Sequence, residues 1–161
     1  MIATSVVVMY VLTYTNVFSI DHIRISEERI YMALLMGAGM AIVMLLYMWG
    51  MYRDRRVNVA IIVGALAFGG VAFFLSQSQA LVGDVAYMDG MIPHHSIAIL
   101  TSERAGIEDL RVRELADEII AAQRREIAEM DWLVADIAEN GPATTEAEAQ
   151  ARPVPEFSAE P

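Results

Sequence analysis

Residues 30–51 read IYMALLMGAGMAIVMLLYMWGM, an apolar stretch without a charged side chain. Two further apolar runs, at about 2–18 and 57–75, lie on either side of it. Each run is about long enough to cross a hydrocarbon core roughly 30 Å thick, although the first is at the short end. The chain of 161 residues is 56% hydrophobic, more than an ordinary soluble domain carries. We therefore predict an all-α protein in which residues 1–79 form three transmembrane helices.

The distribution of arginine predicts the topology of these helices. Arg53, Arg55 and Arg56 lie in the short link between the second and third runs. Links rich in arginine stay in the cytoplasm. The first run lacks the basic start and the cleavage site of a signal peptide, so we expect it to be retained. The prediction is a bacterial inner-membrane (plasma-membrane) protein with a cytoplasmic amino terminus and an extracytoplasmic carboxy-terminal domain.

Residues 80–139 are predicted to form a helical hairpin outside the membrane. Asp84 can cap a first helix, Gly106 marks its end, and Asp109 can cap a second helix. The second helix has an apolar row that comprises Val112, Leu115, Ile119, Ile127, Met130, Val134 and Ile137. Two helices cannot cover such faces alone, so we expect a homo-oligomer that completes a four-helix bundle. The tail, residues 140–161, is rich in Ala, Glu and Pro and is predicted to be disordered.

Two histidines and two methionines crowd into the first helix of this hairpin. Met88, Met91, His94 and His95 fall within about two helical turns, so their sulfur and nitrogen atoms can converge on one small volume. Such ligands suit a soft ion, above all Cu(I). The chain has no cysteine, so a soft-metal site must rest on Met and His. Core methionines and hydrogen-bonded histidines would explain the same residues without a metal.

Charge and motifs exclude several function classes. The net charge of −10, most of it after residue 80, argues against nucleic acid as a partner and is compatible with attracting cations. The sequence has no His-Glu-x-x-His, no Glu-x-x-His, no Gly-rich phosphate loop and no cysteine nucleophile. We therefore predict that the protein is not an enzyme.

One pattern in the outer region is specific: Met91-Ile-Pro-His-His95, then Leu115-Ala-Asp-Glu-Ile-Ile120, Ala122-Gln123, Glu126-Ile127 and Met130. This pattern resembles the family called domain of unknown function 305, over about residues 84–137. The three leading spans are similar to a membrane-anchored subgroup of that family. The resemblance implies a ferritin-like helical bundle, export in many members, and copper binding through Met and His in some. Many relatives carry two such motifs and this chain carries one, which favours a homo-oligomer.

The resemblance also implies roles for individual residues. It gives ligand roles to Met91, His94, His95 and Met130, and Met88 joins them by its spacing. We expect Gln123, Glu126 and Asp89 to surround the ligands, and His22 and Met32 to offer satellite donors. Methionine also recurs in the second run, at Met32, Met36, Met40, Met44 and Met48. This row is interpreted as apolar packing or, alternatively, as a thioether relay for Cu(I).

These features predict a membrane-anchored extracytoplasmic protein that binds copper, preferably Cu(I), for buffering, tolerance or delivery. Its expected partners are membrane lipid, further copies of itself and a copper-handling protein. One alternative is a structural or interaction module of a membrane complex, in which the histidines only complete a polar network. A weaker alternative is an accessory subunit of a metal permease, built on the methionine-bearing second run.

Overall fold

The computed structural model describes residues 1–52 and 54–158, and helices are its regular elements. The helices are α1 (Ile2–Leu12), α2 (Glu27–Tyr47), α3 (Arg55–Ser78), α4 (Asp84–Arg104), α5 (Leu110–Asn140) and α6 (Glu146–Ala151), with a 3-10 turn at Ile20–His22. No strand occurs within the described ranges. The predicted all-α class is confirmed.

The chain divides into two compact units. The first comprises Met1–Thr15 and Ser26–Val82, and the second comprises Asn16–Ile25 together with the chain from Gly83 onward. The first unit therefore contains α1, α2 and α3, and the second contains α4, α5 and α6. The link between α1 and α2 belongs to the second unit, an assignment that the sequence did not predict.

Two helices of the first unit, α2 and α3, are long and apolar enough to cross a membrane. They pack closely because small residues meet: a Cβ at Gly69 would lie 3.1 Å from the Cβ of Ala38. At one end of the pair, the Glu28 carboxylate accepts hydrogen bonds from Ser76 Oγ at 2.6 Å and Gln79 Nε2 at 2.8 Å. At the other end, Asp54 caps α3 by accepting the backbone N–H of Arg56 at 2.9 Å. Arg53 lies outside the described residues.

The predicted first span, residues 2–18, requires correction. Helix α1 has 11 residues, which reach about 16 Å at 1.5 Å per residue, about half of a hydrocarbon core. The hydroxyls of Thr13 and Thr15 each donate to a backbone carbonyl three residues earlier, at 2.7 Å, where the helix ends. Such bonds compete with helix continuation. Helix α1 is therefore shorter than the two helices that are long enough to cross a membrane.

In the second unit, α4 and α5 run antiparallel and pack against each other. Near the turn, Arg113 Nη1 donates to the Ser102 carbonyl at 2.9 Å, and farther along His95 contacts Glu126. The apolar core comprises Ile92, Ile99 and Ile127, with Phe18, Ile120 and Met130 packed against it. Asp109 caps α5 as predicted, by accepting the Arg111 N–H at 2.9 Å. Asp84 does not cap α4, because Gly83 occupies the N-cap position.

The buried face of α5 differs by one residue from the predicted apolar row. Ala116 is 6% exposed, whereas Leu115 is 55% and Val112 is 49% exposed. Arg113, which bonds to α4, lies on the same face as Ala116. The side chain that packs against α4 in this first part of α5 is therefore a small alanine, and the larger apolar residues face away. Farther along, Ile127 is buried as predicted.

The tail also differs from the predicted disorder over residues 140–161. A capping box starts α6: Thr145 Oγ1 accepts the Glu148 N–H at 3.3 Å, and Glu148 Oε2 accepts the Thr145 N–H at 3.0 Å. Beyond α6, Arg152 pairs with Asp136 on α5 at 2.7 Å. Residues 159–161 lie outside the described part of the chain.

The burial of Ile99 generates a prediction about stability. Ile99 is 1% exposed in the core of the second unit, so Ile99→Ala should lower the free energy of unfolding by about 2–5 kcal/mol through lost burial and cavity formation. Ile20→Ala, at a position 82% exposed in the same unit, is the matched control and should change it by no more than about 0.5 kcal/mol. Chemical denaturation of the full chain in detergent measures both. Equal losses in the two variants would contradict this packing.

Candidate metal centre

A cavity of about 550 Å³ lies in the second unit, between α4 and α5. Its lining residues are Asp84, Tyr87, Met88, Met91, His95, Glu126, Glu129, Met130, Leu133 and Ile137. Four of the predicted metal ligands, Met88, Met91, His95 and Met130, are therefore brought together. The cavity unites three thioethers, one imidazole and three carboxylates.

Helical spacing explains this convergence. Met88, Met91 and His95 stand at i, i+3 and i+7 of α4, which places them along one stripe of the helix. Glu126 and Met130 stand at i and i+4 of α5, one turn apart. Because α4 and α5 pack antiparallel, these two stripes line the same cavity.

His94 takes a different position. It is exposed and does not line the cavity, although the centroids of its ring and that of His95 are only 5.9 Å apart. Consecutive residues of a helix point about 100° apart, so when His95 faces inward, its neighbour faces outward. The structure does not bring His94 to the other predicted ligands.

His95 is the ionisable group that the cavity perturbs most clearly. Burial lowers the pKa of His95 below its usual range, the Glu126 carboxylate acts in the opposite direction, and His94 adds to the lowering. The His95 side chain is 14% exposed, and its Nδ1 lies 3.1 Å from Oε2 of Glu126. That contact has the distance of an ion pair, but it lacks the alignment of a hydrogen bond, so Nδ1 has no hydrogen-bond partner among the described residues. The neutral imidazole that burial favours is the form that binds a metal.

Of the three residues expected around the ligands, Glu126 lines the cavity, whereas Gln123 and Asp89 do not. Gln123 Nε2 donates to Oε2 of Glu126 at 3.3 Å, the same oxygen that approaches His95. The amide therefore bonds within α5. Asp89 does not line the cavity, and its buried Oδ1 has no hydrogen-bond partner in the described chain.

The two predicted satellite donors lie elsewhere. His22 Nδ1 is in hydrogen-bond contact with Ser96 Oγ at 2.9 Å and does not line the cavity. Met32 belongs to α2 in the first unit and is 43% exposed. Farther along the same methionine row, Met44 and Met48 line a separate cavity of about 310 Å³ within the first unit.

Sequence reasoning missed several lining residues. Glu129 and Asp84 line the cavity, although neither was among the predicted site residues. The signal was available, because Glu129 lies three residues after Glu126 and one turn before Leu133. Within the described residues, no three or more His, Asp and Glu side chains cluster as a metal site by themselves. A metal in this cavity would therefore need the thioethers.

Two comparisons with known proteins find sequences similar to this chain. The family model described as "Domain of unknown function (DUF305)" matches residues 84–158. The uncharacterized protein L153 of Acanthamoeba polyphaga mimivirus is 31% identical over 118 residues, which cover 72% of this chain and 76% of the relative. That match is longer than the family region, so it must include residues that precede position 84. No solved structure matches the chain.

The environment of His95 predicts two opposite shifts. Glu126→Gln should lower the pKa of His95 further, because the carboxylate favours the charged imidazolium. His94→Ala should raise it, because the neighbouring ring disfavours that charge. Titration of the histidine ring resonances by NMR measures both, since the chain has only three histidines. Shifts of the same sign in the two variants would contradict this arrangement.

Proposed function

The chain belongs to the DUF305 family, whose function is unknown, and we propose that it is a membrane-anchored protein that binds Cu(I) between α4 and α5. One observation carries the proposal: three methionines and one histidine line a single cavity. Met88, Met91, His95 and Met130 would hold the ion. By binding Cu(I) there, the protein would store the ion or deliver it to another protein.

The donor set fits a soft ion. Thioethers are soft, uncharged ligands, and together with imidazole they select Cu(I) over hard cations that prefer oxygen. His95 supports this choice, because its buried Nδ1 has no hydrogen-bond partner among the described residues. A metal ion could take this nitrogen as a ligand, while the Glu126 carboxylate, whose Oε2 lies 3.1 Å away, would supply negative charge beside it.

Carboxylates around the donors would add an electrostatic contribution. Asp84, Glu126 and Glu129 line the same cavity, and the whole chain carries a net charge of −10. Negative potential raises the local concentration of cations and speeds their arrival. In this proposal the carboxylates attract the ion, whereas the thioethers and His95 decide which ion stays.

The anchor in the proposal consists of α2 and α3. Both are long and apolar enough to cross a membrane, and the match to the viral relative extends before residue 84. Asn16–Ile25 precedes α2 and Gly83 follows α3, yet both belong to the second unit. Two crossings return a chain to its starting side, so this arrangement is consistent with two spans. Arg55 and Arg56 at the start of α3 favour a cytoplasmic link between them and an extracytoplasmic second unit.

A second candidate function, assembly of several copies, rests on a separate observation. Leu110, Val112 and Leu115 on α5 are 83%, 49% and 55% exposed. Large apolar side chains grouped at one end of a helix favour association. A homo-oligomer would cover them. Such assembly is compatible with metal binding and would remain as the function if the cavity bound no metal.

The metal site is tested by paired substitutions in the full-length protein. His95→Ala and Met91→Leu should each weaken Cu(I) binding by at least about tenfold, equivalent to about 1.4 kcal/mol, because each removes a donor from the cavity. Leu nearly conserves the volume of Met, so Met91→Leu should cost less than about 1.5 kcal/mol of stability. Competition with a Cu(I) chelator measures affinity, and thermal unfolding without metal measures stability.

Matched controls separate the ligands from their neighbours. His94→Ala removes an imidazole outside the cavity, and Met32→Leu removes a thioether from the first unit. Both controls should retain the parent affinity within about twofold, far less than the tenfold change that 1.4 kcal/mol produces. Retained affinity in His95→Ala and Met91→Leu would exclude this copper site and leave assembly as the better explanation.

The proposed topology is tested with single cysteines, since the chain has none. Ala143→Cys, at an exposed position after α5, should react with a membrane-impermeant maleimide in intact cells. Gly50→Cys, exposed between α2 and α3 with no atom near its added Cβ, should react only after permeabilisation. The reverse pattern would place the second unit in the cytoplasm.

A further inference from the structure

The link between α1 and α2, Asn16–Ile25, is a structural part of the second unit. The backbone N–H of Phe18 donates to Ser96 Oγ at 2.7 Å, and His22 Nδ1 lies 2.9 Å from the same oxygen. Ser96 is fully buried at 0% exposure. Arg24 forms an ion pair with Asp131 of α5 at 2.8 Å. The link thus contacts both helices that enclose the cavity.

Two short routes join this link to the proposed metal ligands. The first is along the chain: Ser96, which holds the link, directly follows His95, which lines the cavity. The second is through the core. Phe18 from the link and Met130 from the cavity both pack against the cluster of Ile92, Ile99 and Ile127.

We propose that Asn16–Ile25 acts as a brace for the metal site, so that its docking and Cu(I) binding stabilise each other. Ser96 and Phe18 are then positioning residues, since neither lines the cavity. This inference rests on the proposed function, because it concerns the same site. It adds a structural element that lies outside the family region, residues 84–158.

The helical geometry of α4 explains how the brace would act. His95 and Ser96 point about 100° apart around the helix axis, so one faces the cavity while the other faces the link. Fixing Ser96 therefore reinforces the rotation of α4 that the isoleucine core sets and that aims His95. The constraint matters at this place because Pro93, inside α4, has no backbone N–H to give to the preceding turn. A side-chain anchor three residues later limits motion where the helix has one fewer backbone bond.

Metal binding would in turn affect the link through the apolar core. A metal ion that engages the Met130 sulfur restricts the rotamers of that side chain, and close-packed cores transmit such restrictions to their neighbours. Phe18 is one of those neighbours through the shared isoleucines. Because coupling between two binding events is reciprocal, docking must favour metal binding by the same factor as metal favours docking.

The experiment compares two brace variants with a control in the full-length protein. Ser96→Ala removes the oxygen that holds the link, and Phe18→Leu reduces its packing in the core. Ile20→Ala is the matched control, because Ile20 belongs to the same link but is 82% exposed. Hydrogen–deuterium exchange of residues 16–25, with and without Cu(I), reports docking. Competition with a Cu(I) chelator reports affinity.

The brace predicts changes in both docking and affinity. Cu(I) should slow exchange of residues 16–25 in the parent protein. Ser96→Ala and Phe18→Leu should speed exchange there without metal, and each should weaken Cu(I) binding by about fivefold or more, the lower end of ordinary coupling. Ile20→Ala should leave both measurements unchanged. Ser96→Ala should lower but not abolish the cooperative thermal transition of the second unit, which separates a loosened brace from a misfolded protein.

Other outcomes overturn the inference in distinguishable ways. If the brace variants release residues 16–25 while Cu(I) affinity stays at the parent value, the coupling is wrong and the copper site stands. If the link exchanges freely in the metal-free parent and Cu(I) does not slow it, there is no brace. If the parent binds no Cu(I) at all, the proposed function and the coupling both fail. Should Ser96→Ala unfold the protein, Phe18→Leu decides between these outcomes.

Discussion

The packing of Ile92, Ile99 and Ile127 is the constraint on which the second unit depends. These side chains are at most 5% exposed, and they hold α4 against α5. Their position sets the rotation of α4, which in turn decides that His95 faces the cavity and His94 faces outward. The same cluster receives Phe18 from the link before α2. The same apolar cluster thus determines which histidine lines the cavity and where the link docks.

Burial and charge act against each other at His95. Desolvation favours the neutral ring, whereas the Glu126 carboxylate 3.1 Å away favours the imidazolium. Burial dominates, so the pKa is lowered despite the nearby anion. Glu126 is itself 43% exposed, and solvent screening weakens the attraction of an exposed charge. The result is a neutral nitrogen beside a negative oxygen, an arrangement suited to receiving a cation.

Local patterns predicted some features, and others depended on contacts that leave no local signal. Unbroken apolar runs were enough to identify α2 and α3, and helical spacing placed Met88, Met91 and His95 on one stripe. Spacing did not distinguish His94 from His95, because the buried side of α4 is set by α5. Ser96 and Phe18 are 78 residues apart, so no periodicity could reveal their contact. The tail was different, since the pattern Thr145-x-x-Glu148 was readable as a capping box.

The absence of cysteine is consistent with the proposed location and chemistry of the site. Thiolates bind Cu(I) strongly, but outside the cytoplasm two cysteines are prone to form a disulfide. Methionine forms no disulfide and its thioether stays uncharged, so a thioether site avoids the disulfide formation that would remove a pair of thiolate ligands. A site made of thioethers alone lacks the negative charge that would attract the ion. In the proposed site Asp84, Glu126 and Glu129 supply that charge from the cavity wall. Attraction and selectivity would therefore come from different side chains, and either could change without loss of the other.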